Sequence, residues 1–154
     1  MRRKDREIKG QKALEAILNK AKICHLAFND EGYPYVVPMN FGYQDGWLYF
    51  HSAPEGRKID LIKKGAPVAF EISIYDGPNK GGAPCGWNFS YRCVMGVGKI
   101  SIIKDPKLKR KAVDILIKHY SKAKYKLLPE RMKNMVMLQL KIKSMTGKGN
   151  RGNL

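Results

Sequence analysis

Between residues 8 and 21 the apolar positions Ile8, Leu14, Ile17, Leu18 and Ala21 recur at the spacing of one helix face, with lysines and glutamates between them. That pattern predicts an opening amphipathic helix. From residue 23 onward the period changes. An apolar run at 23–28 closes on Asn29-Asp30-Glu31-Gly32, and 33–37 resumes in β-favouring residues. Residues 39–43, the turn Gln44-Asp45-Gly46 and residues 47–51 repeat the arrangement, so two successive hairpins are expected. Ser52-Ala53-Pro54 ends this meander. Ile59, Leu61 and Ile62 among charges at 55–64, just before Gly65, then predict a short helix with a glycine stop.

Further along, 68–75 reads as a strand, 76–86 as an irregular loop rich in glycine and proline, and 87–94 and 97–103 as two more strands. Gly96 and Gly98 between them suggest a bulge or a close backbone approach. Asp105-Pro106 starts a helix with Leu108, Ala112, Leu116 and Tyr120 along one face, and Pro129 opens another short one. In 137–142, Leu138, Leu140 and Ile142 alternate with Gln139, Lys141 and Lys143, the mark of a half-buried strand. Short strands with helices at the margins predict a mainly β fold, a closed or half-closed antiparallel barrel, rather than a βαβ arrangement.

Composition refines this picture. The 154 residues are 44% hydrophobic, which suits a single domain over 1–154 with one core. No run approaches the roughly 20 apolar residues of a membrane helix, and the amino terminus is charged with no apolar run behind it, so a cytoplasmic protein with no membrane partner is expected. Cys24, Cys85 and Cys93 are irregularly spaced and spell neither a disulfide framework nor a metal knuckle, so no metal is expected. The formal charge of +17 attracts polyanions of any kind. No helix-turn-helix, zinc finger or RNP-like strand accompanies it, so no specific nucleic acid is expected, and a basic nucleic-acid-associated protein stays as an alternative.

The chemistry concentrates in FHSAPEGRKIDL at 50–61, where a strand ends on Phe50-His51, a small turn follows, and Arg57 and Lys58 open a helix. Unpaired N–H groups at a helix start, the Ser52 hydroxyl and two cations suit a phosphate, although the same cations also read as ordinary solvated charge. In YPYVVPMNF at 33–41, Pro38 cannot donate to a ladder and so implies an edge or bulge whose freed backbone can serve a ligand. Met39 and Phe50 would give such a ligand apolar walls, and an ordinary edge strand is the other reading.

Taken together, ICHLAF at 23–28, PYVVPMNFGY at 34–43, LYFHSAPEGRKIDLI at 48–62, CGWNFSYRCVMGVGKI at 85–100 and MTGK at 145–148 resemble the nitroimidazole-resistance branch of the pyridoxamine 5'-phosphate oxidase-like superfamily. The resemblance spans nearly the whole chain. It implies a six-stranded antiparallel split barrel, a homodimer with FMN at the subunit interface, and reduction of a small electron acceptor such as a nitroimidazole. By position, Pro38, Met39, Asn40 and Phe41 would line the isoalloxazine and Phe50, His51 and Ser52 would run beside it. Ser52, Arg57 and Lys58 would hold the phosphate, while Trp87, Arg92 and Cys93 would reach the site, from the neighbouring subunit. Cys93 departs from the serine usual in relatives, replacing a hydroxyl donor with a weak thiol donor. His51 is the candidate catalytic residue, as a proton donor to a bound acceptor. His25 and His119 read as a barrel residue and a helix-surface residue. The chain ends GKGNRGNL without the Arg-Leu-x-Pro ending of the true oxidases, which argues against their substrate. A non-catalytic flavin or haem binding protein is the alternative on the same barrel.

Overall fold

The computed structural model describes residues 2–65, 67–123, 125 and 135–150. The helix expected at Pro129 lies outside them. In chain order the elements are β1 (Glu7–Ile8), α1 (Gln11–Lys20), β2 (Cys24–Asp30), β3 (Tyr33–Met39), β4 (Gly42–Gln44), β5 (Trp47–Ser52), α2 (Arg57–Lys64), β6 (Val68–Asn79), β7 (Asn88–Ile102), α3 (Pro106–Tyr120) and β8 (Val136–Asn150). The strands form one antiparallel sheet in the order β3-β2-β6-β7-β8-β5-β4, with β1 paired to β8. This is the expected mainly β barrel. Its two terminal strands, β3 and β4, do not pair, so the barrel is split between them.

Six long strands match the expected number, and the two short ones, β1 and β4, bring the described total to eight. The opening helix is shorter than 8–21: Gly10, at φ 89°, breaks the backbone, and Ile8 lies in β1 opposite Gly147. Both early hairpins turn on two residues with positive φ, Glu31-Gly32 and Asp45-Gly46, as tight turns matched to strand twist require. β3 runs straight through Pro38, which an end strand tolerates because one row of its N–H groups has no partner strand.

Three expectations fail in the same direction. The irregular loop at 76–86 begins only after Asn79, because β6 continues past a bulge between Tyr75 and Gly77. The strands at 87–94 and 97–103 are one strand, β7, and β8 runs on from 142 to Asn150. The glycines explain why β7 is continuous. A Cβ on Gly96 would meet the Phe70 ring and the Ser144 carbonyl at 2.5 Å, and one on Gly98 would meet the Lys141 carbonyl at 2.4 Å. They mark close approach across the sheet, with the irregularity on β8, where Lys143 is skipped in the pairing.

Alternation then divides the molecule. Leu26, Phe28, Phe70, Ile72, Val94, Leu138, Leu140, Leu48 and Phe50 face inward and join Leu14, Ile17 and Leu18 of α1 and Ile59, Leu61 and Ile62 of α2 in the main core. Each such side chain stabilises the fold by about 1.5–3 kcal/mol. On the outer face, α3 packs Ala112, Val113 and Leu116 onto Tyr49, Ile103 and Met137.

The Gly98 site is testable. Gly98→Ala must displace backbone and should cost about 1–3 kcal/mol in a denaturant titration. Gly81→Ala, with no atom nearer than 3.6 Å to the added carbon, should stay close to neutral.

Candidate functional site

At the split, α2 begins directly after Gly56, whose φ of 109° turns the chain into the helix, and no side chain caps its first turn. The last residue of β5, Ser52, turns inward and is 8% exposed, yet its Oγ has no hydrogen-bond partner among the described residues. An unpaired buried hydroxyl costs about 1–3 kcal/mol. Lys58 is half-buried, burial lowers its pKa from the usual lysine range, and no ion pair with a described residue engages it. Arg57 is more exposed. Its Nε donates to Asp30 and its guanidinium lies 4.9 Å from the Tyr35 ring centre, which fixes α2 against the β2–β3 hairpin. A hydroxyl without a partner, a cation without a counter-ion and uncapped helix N–H groups fit an anion the size of a phosphate.

Tyr35 and Pro38 share β3, and about 13 Å of strand separates Tyr35 from Met39. In the β2–β3 ladder prolines cannot occupy positions that exchange two hydrogen bonds, so Pro34 and Pro38, and Val36 between them, direct their backbone groups to the free edge. That edge offers three carbonyls and one N–H. Met39 and Phe50 face the core at 7% and 0% exposure, so they underlie the edge rather than wall a ligand.

Phe41 is committed elsewhere. Its N–H donates to Tyr120 Oη at 2.9 Å, and Tyr120 in turn donates to the Lys22 carbonyl at 2.6 Å. His119 is correspondingly not a helix-surface residue. Its ring lies 4.7 Å from that of Phe41, and its Nε2 donates to the Ala21 carbonyl at 2.6 Å. Lys22 Nζ completes the clasp by donating to the His119 carbonyl. The end of α3 thus ties Phe41, beside Asn40, to the junction of α1 and β2. His51 faces outward on β5, opposite in sense to Phe50 and Ser52, and its exposed ring makes no hydrogen bond among the described residues.

Trp87, Arg92 and Cys93 do not join this group within one chain. β7 stands three strand spacings from β3, about 14 Å. Arg92 donates to both carboxylate oxygens of Asp76, at 2.8 and 3.1 Å. Trp87 is half-exposed, with Lys80 above its ring and its Nε1 donating to the Gly82 carbonyl. Cys93 is buried, and burial raises its thiol above the ordinary range.

A family model for pyridoxamine 5'-phosphate oxidase matches residues 11–149. The chain belongs to this family. A crystal structure described as that of a 5-nitroimidazole antibiotic resistance protein from Bacteroides thetaiotaomicron is 34% identical, with a TM-score of 0.82 over 93% of this chain and 86% of that one. The flavocytochrome Anf3 from Azotobacter vinelandii shares the fold at 19% identity, with a TM-score of 0.85 over 99% of this chain and 72% of that one. So does the FAD and heme binding protein from Mycobacterium smegmatis, at 20% identity and a TM-score of 0.85, over 96% and 74%. No curated protein sequence matches the chain.

Within this member of the pyridoxamine 5'-phosphate oxidase family, the contacts made by Asp30, Tyr35, His119 and Tyr120 carry no local signal in the sequence. Helical period places Tyr120 on one face of α3, and no local pattern announces that its hydroxyl crosses to residue 41.

The clasp has a pH signature. Burial is the larger influence on His119 and lowers its pKa from 6.5, against the Ala21 carbonyl, which raises it. The folded chain therefore takes up this proton less readily than the unfolded one. Its contribution to stability is complete above pH 6.5 and is lost as pH falls below it. Denaturation midpoints of wild type should fall between neutral pH and pH ~5.5, and His119→Gln should flatten that slope.

Proposed function

We propose that this chain is an FMN-binding oxidoreductase that reduces small electrophilic acceptors such as nitroimidazoles, working as a homodimer. The observation that carries the reading is the buried Ser52 Oγ at the end of β5, without a partner among the described residues, followed five residues later by the uncapped start of α2 with its half-buried Lys58. The 34% identical relative described as a nitroimidazole resistance protein supports the acceptor class. One anion pocket suffices for FMN, and the sequence has no glycine-rich pyrophosphate turn of the dinucleotide type.

In this reading Ser52, Arg57 and Lys58 hold the phosphate, and the free carbonyls beside Pro38 accept a ring N–H. The remaining part of Pro38 to Phe41 keeps its shape through Tyr120. Bound there, FMN supplies the electron transfer to the acceptor. His51, exposed and unengaged, is the proton donor.

The dimer follows from the outer sheet face. Along β7 the odd positions Phe89, Tyr91, Cys93, Met95 and Val97 stand on the side that faces away from the core, with exposed Trp87 just before the strand. α3 covers the far end of this face, while Met95 and Val97 remain 37% and 40% exposed, and Val36 on β3 is 54% exposed. A second copy covering this apolar face would also bring Trp87, Arg92 and Cys93 of one chain towards the β3 edge of the other.

Lys58→Ala and Arg57→Ala should each weaken FMN binding by about 10-fold to 100-fold, the range of a charged hydrogen bond, as read by flavin fluorescence on titration. His51→Ala should keep the flavin and slow acceptor reduction. Chromatography of the released cofactor decides FMN against FAD or haem, and FMN affinities unchanged in both cation variants would return α2 to a solvated surface helix. Separately, Met95→Glu should convert a particle of twice 17.5 kDa into one of 17.5 kDa in sedimentation. A wild-type monomer that retains flavin would remove the shared site.

A further inference from the structure

A cavity of about 560 Å³ opens on the outer face of β2 and β6, at the end nearest α1, with Ile23, His25, Pro38, Ile74 and Tyr75 among its lining. Its volume suits a small molecule, and most of its wall is apolar. His25 stands among its polar lining residues, with Ser73, Lys20 and Lys22. His25 is directly opposite Pro38 on one neighbouring strand and Glu71 on the other, so the three side chains share the outer face. His25 Nδ1 lies 3.2 Å from Glu71 Oε2, and Nε2 has no partner among the described residues. A carboxylate that accepts Nδ1–H fixes the plane of the ring and leaves Nε2 free.

We propose that this cavity binds a flat, neutral, conjugated compound carrying a nitro or carbonyl oxygen, with the protonated His25 ring donating from Nε2 to that oxygen and Glu71 orienting the ring. The proposal rests on the flavoprotein reading, since Pro38 belongs both to the cavity and to the edge assigned to the cofactor. The apolar walls Ile23, Ile74, Pro38 and Tyr75 take the conjugated body. An anionic ligand would stand beside the Glu71 carboxylate. Lys22 directs its ammonium to the His119 carbonyl and the Tyr120 ring rather than pairing with that carboxylate. The charged and titratable groups around His25 are Glu71 and Tyr75 on β6 and Lys20 and Lys22 at the end of α1, with Cys93 and Lys148 beyond Glu71. His25 is thus a binding residue and Glu71 a positioning residue, a role distinct from that given to His51.

The probe pair 4-nitroanisole and anisole, equal in shape apart from the nitro group, tests this on the purified full-length protein by equilibrium dialysis. Wild type should prefer 4-nitroanisole by about 10-fold, as expected for a charged donor. Addition of 4-nitroanisole should shift the His25 ring nitrogen signals in NMR spectra. His25→Leu should abolish the preference. Glu71→Leu, which frees the ring, should weaken it, and Glu71→Gln, which keeps an acceptor for Nδ1–H, should retain most of it. Equal affinity for the two probes in wild type, or an undiminished preference in His25→Leu, overturns the proposal, including the case in which a second copy fills the cavity. Flavin content is read separately from the visible spectrum. Colourless protein that still discriminates keeps the pocket and refutes the flavin reading, whereas yellow protein that does not discriminate does the reverse.

Discussion

Where β7 crosses the core, the sheet is drawn so tight that a single methyl group has no room. The hypothetical Cβ contacts at Gly96 and Gly98, and at Gly147 of β8 only 2.3 Å from Leu14, all fall below any real carbon contact. Glycine at these positions lets β6, β7 and β8 curve around α1 and the inward side chains with their ladders intact. Curvature of the three long strands sets the rest. It brings β2 and β3 round on one side and β5 and β4 on the other, and the sheet stops short of closing, with β3 and β4 as unpaired ends.

The unpaired end is where the candidate chemistry sits. An open strand edge normally invites another strand, and prolines at alternate positions remove most of its donors. Pro34 and Pro38 leave β3 rich in carbonyls and poor in N–H groups, unattractive to a strand and suited to a ligand that brings its own donor. α2, fixed by the Arg57 contacts with Asp30 and Tyr35, presents its uncapped start at the same edge. The α3 clasp steadies the connection from β3 to β4 from behind, using the hydroxyl of Tyr120 as donor and acceptor at once. Barrel curvature, edge chemistry and helix placement are therefore a single arrangement.

The elements that alternation and turn chemistry define were legible in the sequence. The hairpins on Glu31-Gly32 and Asp45-Gly46, the start of α2 at Arg57 and the start of α3 after Asp105 fall where local patterns put them. Asp105 caps α3 by accepting from the N–H groups of Lys107 and Leu108. Strand length was not legible. Gly77, Pro78, Gly96 and Gly98 weaken any local strand signal, and only neighbouring strands, paired residue by residue, hold those segments extended. The same limit applies to the site. The grouping at Ser52, Arg57 and Lys58 is local and visible in the string, while the partners that orient it, Asp30 and Tyr35, and the Tyr120 bridge to Phe41 depend on contacts 22 to 79 residues apart in sequence.

A formal charge of +17 on each chain opposes the pairing of two copies. Its distribution removes much of that objection. Along β7, the face away from the core presents five uncharged residues in succession from Phe89 to Val97, and lysine appears only beyond them at Lys99. The cross-strand row through Met95 sets the Glu71 carboxylate against the His25 ring, 3.2 Å apart. Much of the excess lies elsewhere, on exposed α3 positions such as Lys107, Arg110, Lys111 and Lys118, while Lys148 of β8 stands opposite Cys93 at the border of this face. Repulsion between such peripheral charges acts through water and is screened within about 10 Å at ordinary salt, whereas apolar contact at the face is not. The same peripheral field attracts small anions without choosing among them, so selection for a phosphate falls to the short-range groups at Ser52 and Lys58.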